Sequence, residues 1–312
     1  MVKIVMDMDV GVDDGMAIAY AAASRDIQLL GIVGTYGNID AQASARNARK
    51  LLDLCGAGEV PVYQGLSNAR AKEAYTRLEV SARIHGENGV GNIELEDGTA
   101  SIMPGSGIDF LIDCVETYKE ELVIVTTGPL TDLAAVLDRM PDAASKIKRV
   151  VVMGGALTVS GNIRKIAEAN ISQDPEAARL VFESGIHVDM VGLDVTMRSL
   201  LTKAQTGAWR EIGSDAGRKY ADMVDYYIDH VKAKGGCFMH DPSAVAMAAH
   251  PEWFTALPFY LTVVEEGDQR GRTVVDTEKL QENHPNVSVC LQVDTKSFLE
   301  DFQGSLLRLF TR

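Results

Sequence analysis

The chain has 312 residues, of which 46% are hydrophobic and 24% charged, as is typical of a globular protein. Its 44 acidic and 30 basic residues give a formal net charge of −14, which argues against nucleic acid or an anionic membrane as a partner. No apolar run is long enough to span a bilayer, and we recognise no signal peptide. The four cysteines form no CxxC pair, so we expect a protein of the reducing cytoplasm.

Short apolar runs alternate with helical patterns along the first two thirds of the chain. The predicted strands are Val2–Met6, Gln28–Val33, Leu122–Thr126, Arg149–Met153 and His187–Val191. The predicted helices are Asp13–Ser24, Ala41–Leu54, Gly107–Tyr118, Leu130–Arg139 and Pro175–Glu183. This alternation predicts an α/β fold with a Rossmann-like core, in which helices flank an open, mostly parallel sheet.

The rest of the chain is less regular. Residues 65–105 contain many charges and no long element, so we expect a loop and flap around a site. The last third is more helical and ends with strand-like runs at Phe259–Val264 and Val287–Val293, followed by a helix at Thr295–Phe310. No repeat or Pro-rich linker divides the sequence, so we predict a single domain over residues 1–312.

An acidic cluster follows the first predicted strand. Asp7, Asp9, Asp13 and Asp14 fall within eight consecutive residues. Helix capping explains one or two of them, but four crowded carboxylates at the end of a buried strand need a cation to neutralise them. Hard divalent ions prefer oxygen ligands, so the cluster predicts a Ca²⁺ or Mg²⁺ site.

Three further polar segments are candidates for a site. His240 and Asp241 stand at a predicted helix start, where Asp241 could simply cap the helix and His240 could donate a proton. The segment from Glu168 to Asp174 suits a polyhydroxylated ligand or a polar surface loop. His85 lies in a Gly-rich loop, where an exposed histidine is the commoner case, and we take His230 as structural or exposed.

These segments together resemble the nucleoside hydrolases, in particular the inosine–uridine group. The acidic cluster is similar to the DTDPGIDDA signature of that family. Further motifs occur in the family's order and at similar spacing: Asn38, Thr127–Thr131, Val151–Gly155, Gly161-Asn162, Ala167–Asn170, Asp174–Ala177, His240–Pro242 and Arg272–Asp276. The resemblance covers essentially the whole chain.

The resemblance implies Ca²⁺-dependent hydrolysis of the N-glycosidic bond of a small ribonucleoside, in a homodimer or homotetramer. It implies that Asp9, Asp14, Asp241 and the Thr127 carbonyl bind calcium, that Asp9 is the general base, and that His240 faces the leaving base. By the same resemblance, Asn38 assists near the reacting water. The substrate-binding residues would be Asp13, His85, Met153, Asn162, Glu168 and Asn170.

Two departures from the family pattern matter. Met8 and Val10 replace the usual Thr and Pro, at positions that shape a turn and are not expected to be ligands. Ala169 replaces the usual aromatic residue between the ribose-binding Glu and Asn, which predicts a roomier base pocket.

Two other functions remain open from the sequence. Asp7-Met8-Asp9 after a strand mimics the DxD motif of haloacid-dehalogenase-like phosphatases, with Asp7 as nucleophile. A Ca²⁺-dependent nucleoside or ribose binder without turnover is the second alternative, and ligand binding without release of free base would identify it.

Overall fold

The computed structural model describes residues 1–98, 100–163, 165–279 and 284–312. The strands are β1 Val2–Met8, β2 Ile27–Gly34, β3 Val62–Gln64, β4 Leu122–Thr126, β5 Arg149–Met153, β6 Val188–Val191, β7 Leu200–Leu201, β8 Cys237–Phe238, β9 Phe254–Phe259, β10 Leu261–Val263, β11 Thr273–Val275 and β12 Val287–Val293. The helices are α1 Val12–Ala23, α2 Ala41–Leu54, α3 Glu79–His85, α4 Gly107–Tyr118, α5 Thr131–Arg139, α6 Ala143–Lys146, α7 Ala169–Gln173, α8 Pro175–Glu183, α9 Leu193–Thr196, α10 Lys203–Glu211, α11 Asp215–His230, α12 His240–Ala249 and α13 Thr295–Phe310.

Eight strands form the main sheet in the order β3-β2-β1-β4-β5-β6-β12-β9. Neighbouring strands run parallel except β9, which pairs antiparallel with β12. From β1 the chain first builds outward through β2 and β3 and then returns to add β4 on the other side. The carboxyl ends of β1 and β4 therefore form a topological switch point, where open α/β sheets bind ligands. The predicted fold class is confirmed.

Helices cover both faces of the sheet. Ile4, Met6 and Met8 of β1 pack into one cluster, which α1, α2, α11, α12 and α13 share. Val5 faces the opposite cluster, which α4, α5 and α8 complete. Because both faces are covered, the central strands are continuous apolar runs, and this is why the sequence reveals them. Strands from both ends of the chain share the main sheet, and the single-domain expectation stays a prediction.

Two expectations need correction. Strand β1 continues to Met8, so Asp7 belongs to the strand and pairs with Val33 and Thr126. The run Phe259–Val264 is not one strand, because Phe259 ends β9 in the main sheet and β10 pairs with β11 in a separate sheet. The short helix α3 within residues 65–105 agrees with the expected lack of a long element there.

Within the ranges given above, the structure contains no helix of the length and apolarity required for a membrane span.

Candidate active site

A cavity of about 440 Å³ opens at the carboxyl edge of the sheet. All predicted site residues line it except Asp9 and Asp14, which are fully buried. The predicted residues that line it are Asp13, Asn38, His85, Thr127, Met153, Asn162, Glu168, Asn170, His240 and Asp241. They come from the segments after β1, β2, β4 and β5, from the end of α3 and from the start of α12. Segments far apart in sequence therefore meet in one cavity.

Three carboxylates are grouped at the floor of the cavity, which Asp13 and Asp241 line while Asp14 is fully buried. One oxygen from each of Asp13, Asp14 and Asp241 lies within 4.8 Å of the others. Helices α1 and α12 both begin here, and their N-terminal dipoles favour acidic side chains. Asp241 lies within the first turn of α12, whose N-cap is Met239, so capping does not explain this residue.

Hydrogen bonds orient the floor only partly. Asp14 accepts from the Gly11 amide at 2.7 Å and from the Thr127 hydroxyl at 2.6 Å. Tyr227 donates its hydroxyl to Asp13 Oδ2 at 3.4 Å. Asp13 Oδ1 is buried without a hydrogen-bond partner in the described part of the chain. The floor therefore has buried acceptor capacity that protein donors do not satisfy.

Asp9 lies beside this group and is held by Asn38. The Asn38 backbone amide donates to Oδ2 at 2.8 Å, and its side-chain amide donates to Oδ1 at 3.0 Å. Gly37 permits this approach, because a Cβ atom there would overlap the Asp9 carboxylate. Gly11 is similarly required, since its Cβ would lie 2.7 Å from His85 Nδ1. The turns after β1 and β2 are thus shaped around the site.

The floor carboxylates resist ionisation. Burial, followed by repulsion from Asp14 and then Asp13, raises the pKa of Asp9 well above its ordinary value. Burial and the charge of Asp13 raise the pKa of Asp14 to about 6. Burial is also the first cause of the raised pKa of Asp13 and of Asp241. Protons or a bound cation must compensate the repulsion among these buried carboxylates. All of their possible metal-ligand atoms are oxygens, which hard divalent cations prefer.

Glu168, Asn170 and Asn162 form one wall of the cavity. Glu168 caps α7, accepting from the amides of Gly155, Asn170 and Ile171 at 3.0, 3.0 and 3.1 Å. The Asn170 side chain donates to the carbonyls of Thr127 at 2.8 Å and Met153 at 3.0 Å. This leaves the Asn170 Oδ1 atom available as an acceptor.

The Asn162 side chain fixes the start of the same helix. Its Oδ1 accepts from the Ala169 amide at 2.9 Å, which leaves its NH₂ group as a donor. Ala169 itself lines the cavity and is half-buried there. The position that the resemblance assigns to an aromatic residue is therefore open space beside the polar wall.

His85 and Tyr227 form the opposite wall. Their rings stack with centroids 5.1 Å apart. The Val12 amide donates to His85 Nδ1 at 3.1 Å, so a neutral ring carries its proton on Nε2. Burial lowers the pKa of His85 to about 4, which keeps the ring neutral at neutral pH.

His240 lies between this wall and the floor. Its Nδ1 is 2.8 Å from the Thr196 hydroxyl. Burial lowers the pKa of His240, while the charge of Asp13 opposes that effect. If Thr196 donates to Nδ1, the Nε2 atom carries the proton of the neutral ring.

Sequence reasoning missed several lining residues. His230 is exposed, as expected, and it also lines the cavity. Apolar Leu193, Met197 and Phe238 also contribute to the lining. Thr196 is buried and does not line the cavity, but it contacts His240, and the sequence does place the segment Asp194–Thr196 after a predicted strand, within reach of the site.

Asp7 is separate from the cavity. It is buried, does not line the cavity, and faces Asp132 closely enough for the two carboxyls to interact. Burial, then the charge of Asp132, raises its pKa well above the ordinary value. A phosphatase nucleophile must reach its substrate, so the position of Asp7 argues against the phosphatase alternative.

The fold and the cavity are those of an open α/β enzyme that binds its ligand at the topological switch point of the sheet. The cavity has an acidic floor, an amide-rich wall and a histidine wall. Residues 4–300 match the model of the family described as "Inosine-uridine preferring nucleoside hydrolase". The chain therefore belongs to this family, and it is an enzyme that hydrolyses the N-glycosyl bond of ribonucleosides.

Individual relatives agree with this assignment. The chain is 34% identical to uridine nucleosidase 1 of Arabidopsis thaliana, over 98% of this chain and 93% of the relative. It is 34% identical to the pyrimidine-specific ribonucleoside hydrolase RihA of Escherichia coli, over 95% and 96% of the two chains. The solved structure of a purine-preferring ribonucleoside hydrolase from Gardnerella vaginalis superposes with a TM-score of 0.97, at 44% identity over 99% of each chain.

Proposed function

We propose that this enzyme hydrolyses ribonucleosides to free base and ribose with a Ca²⁺ ion, with Asp9 as the general base and His240 facing the leaving base. The observation that carries the proposal is the buried group of Asp13, Asp14 and Asp241 on the floor of a cavity whose walls offer amides and histidines.

The residues present fit a hard divalent cation. The carboxylates offer only oxygen atoms, their pKa values are raised by burial and crowding, and Asp13 Oδ1 has no donor among the described residues. Asp9, Asp14, Asp241 and the Thr127 carbonyl would hold the ion, with Asp13 adjacent. When bound, such an ion lowers the pKa of a coordinated water and positions it for attack.

Asp9 would accept the proton of the attacking water. The two Asn38 donors hold both Asp9 oxygens in a defined orientation, which supports this role. The acidic floor would stabilise the positive charge that develops on the sugar in an oxocarbenium-like transition state.

The polar wall would hold the ribose. Asp13 and the free Oδ1 of Asn170 can accept from sugar hydroxyls, and Asn162 can donate to them. The Oε2 atom of Glu168 accepts hydrogen bonds from two backbone amides and its Oε1 atom accepts one. Oε1 can therefore still accept one sugar hydroxyl. The Met153 carbonyl, which binds Asn170, keeps that side chain in place.

The histidine wall would receive the base. His240, oriented by Thr196, would donate from Nε2 to the departing base, because a neutral base leaves more easily than its anion. His85 would offer a second neutral donor beside the Tyr227 ring.

Substitution of Asp9 tests the proposal. We expect Asp9→Ala to lower kcat by at least about 10³-fold, within the upper range for general base catalysis, while circular dichroism stays native. Reducing-sugar release from purine and pyrimidine nucleosides, with and without a calcium chelator, measures this effect. Turnover by Asp9→Ala near the wild-type rate would exclude the mechanism. Nucleoside binding by the wild type without base release would identify a binding protein.

We further propose a cytoplasmic homodimer or homotetramer. The four cysteines are buried and unpaired, which suits a reducing compartment. Sedimentation equilibrium of the purified protein would measure the assembly, and a monomer at micromolar concentration would contradict it.

A further inference from the structure

Charge is separated across the cavity. Its lining acids, Asp13, Glu168 and Asp241, are all buried on the floor or the ribose wall. Three exposed cations, Arg83, Lys232 and Lys234, line it elsewhere, and we call them the basic rim. Within the described ranges no acidic side chain forms an ion pair with any rim residue, although the protein carries a net charge of −14.

The rim belongs to the base side of the cavity. Arg83 lies two residues before His85 on α3. Lys232 and Lys234 follow the end of α11, the helix that carries Tyr227 and His230. The ribose wall, by contrast, comes from α7 and the segment before it. A nucleoside with its sugar on the floor would therefore direct its base toward the rim.

A neutral base offers no negative charge to balance the three cations of the basic rim. An anionic base, either ionised in its ring or bearing a carboxylate, supplies the complementary charge. Lysines after a helix C-terminus also interact favourably with the helix dipole, but that role does not require them to line a cavity.

We propose that the basic rim makes this enzyme prefer nucleosides whose base carries a negative charge. The inference rests on the proposed function, since it names the substrate class of the same site. The shared chemistry is an anionic oxygen group on a nucleoside, and the position of the rim assigns that group to the base rather than to the 5′ carbon of the sugar.

The test compares nucleosides that differ by one charge. The pairs are inosine with xanthosine, at a pH where xanthosine is ionised, and uridine with 5-carboxyuridine. In the variant Lys232→Gln/Lys234→Gln we expect the kcat/KM ratio of anionic to neutral substrate to fall about fivefold, as suits two exposed charges. Glu at both positions should lower the ratio by about 25-fold, and added salt should lower the wild-type ratio.

The matched control is Lys148→Gln/Lys296→Gln. It removes the same charge from exposed positions that do not line the cavity. Its ratio should equal that of the wild type. An equal fall in the control would assign the effect to net charge and overturn the inference.

The remaining outcomes separate the inference from the proposed function. Hydrolysis of inosine or uridine with an unchanged ratio in the rim variant overturns the inference alone. Inosine 5′-monophosphate is assayed beside these pairs. If the rim variant loses kcat/KM on this nucleotide alone, the anion lies on the sugar, and the inference is also overturned. If no nucleoside is hydrolysed, the proposed function fails. Calorimetric binding of each pair to the wild type and to the rim variant then repeats the comparison without turnover.

Discussion

Asp14 should destabilise the metal-free enzyme at neutral pH. Its pKa of about 6 in the folded protein exceeds the ordinary aspartate value of about 3.9, a gap worth about 3 kcal/mol at about 1.36 kcal/mol per pKa unit. The folded state binds this proton more tightly than the unfolded state. The stabilising contribution is therefore complete below about pH 4 and is lost as the pH rises through about 6.

The variant Asp14→Asn removes this dependence. Asparagine matches the protonated carboxyl, because its Oδ1 can accept from Gly11 while its NH₂ group donates to the Thr127 hydroxyl. We therefore expect chelated Asp14→Asn to be about 3 kcal/mol more stable than chelated wild type near neutral pH. Near pH 4 the difference should become small, since the wild-type carboxyl is then protonated in the folded state.

Urea unfolding of the chelated proteins at about pH 4 and about pH 8 measures the difference. The control is Asp294→Asn, an exposed N-cap of α13 whose pKa is lowered by its bonds to Ser297, so its substitution should give no gain at the higher pH. Added Ca²⁺ should stabilise the wild type and not Asp14→Asn. A metal-free Asp14→Asn protein that is less stable than wild type at about pH 8 would refute the reasoning.

Two further substitutions probe the base side of the cavity. His240→Ala should lower kcat for natural nucleosides by about 10²-fold and should slow p-nitrophenyl riboside far less, because that leaving group needs no proton; equal losses on both would refute the donor role. Ala169→Tyr should fill the space beside the polar wall and change the kcat/KM ranking of purine and pyrimidine nucleosides by about tenfold, and an unchanged ranking would show that Ala169 does not shape the base pocket.

Local sequence determined much of the fold. The central strands are buried on both faces, so each is a short, continuous apolar run, and the predicted bounds of β4 and β5 are those of the structure. The predicted bounds of β12, beside the edge strand, are also those of the structure. The prediction of one strand at Phe259–Val264 was wrong because the pairing partners of a strand lie in distant segments of the chain. Its two halves join different sheets, and apolar character alone cannot distinguish them.

The acidic cluster of the site was also readable from sequence, because four carboxylates within one short segment need an explanation that local structure does not supply. The contacts among distant segments could not be predicted from the sequence. Asn38 holds Asp9 because the parallel strands β1 and β2 place their carboxyl ends at one edge. Tyr227 reaches His85 because α11 packs against α3, and Thr196 reaches His240 because α9 packs against α12.

Sequence by itself therefore determined the family, the acidic cluster and the order of the central strands along the chain, because these depend on residue type and local spacing. Tertiary structure alone decided that Asp13, Asp14 and Asp241 form the close group and that Asp7 turns away toward Asp132. It also separated the acidic floor from the basic rim. The physical reason is that burial and the distance between charges arise only when remote segments pack together.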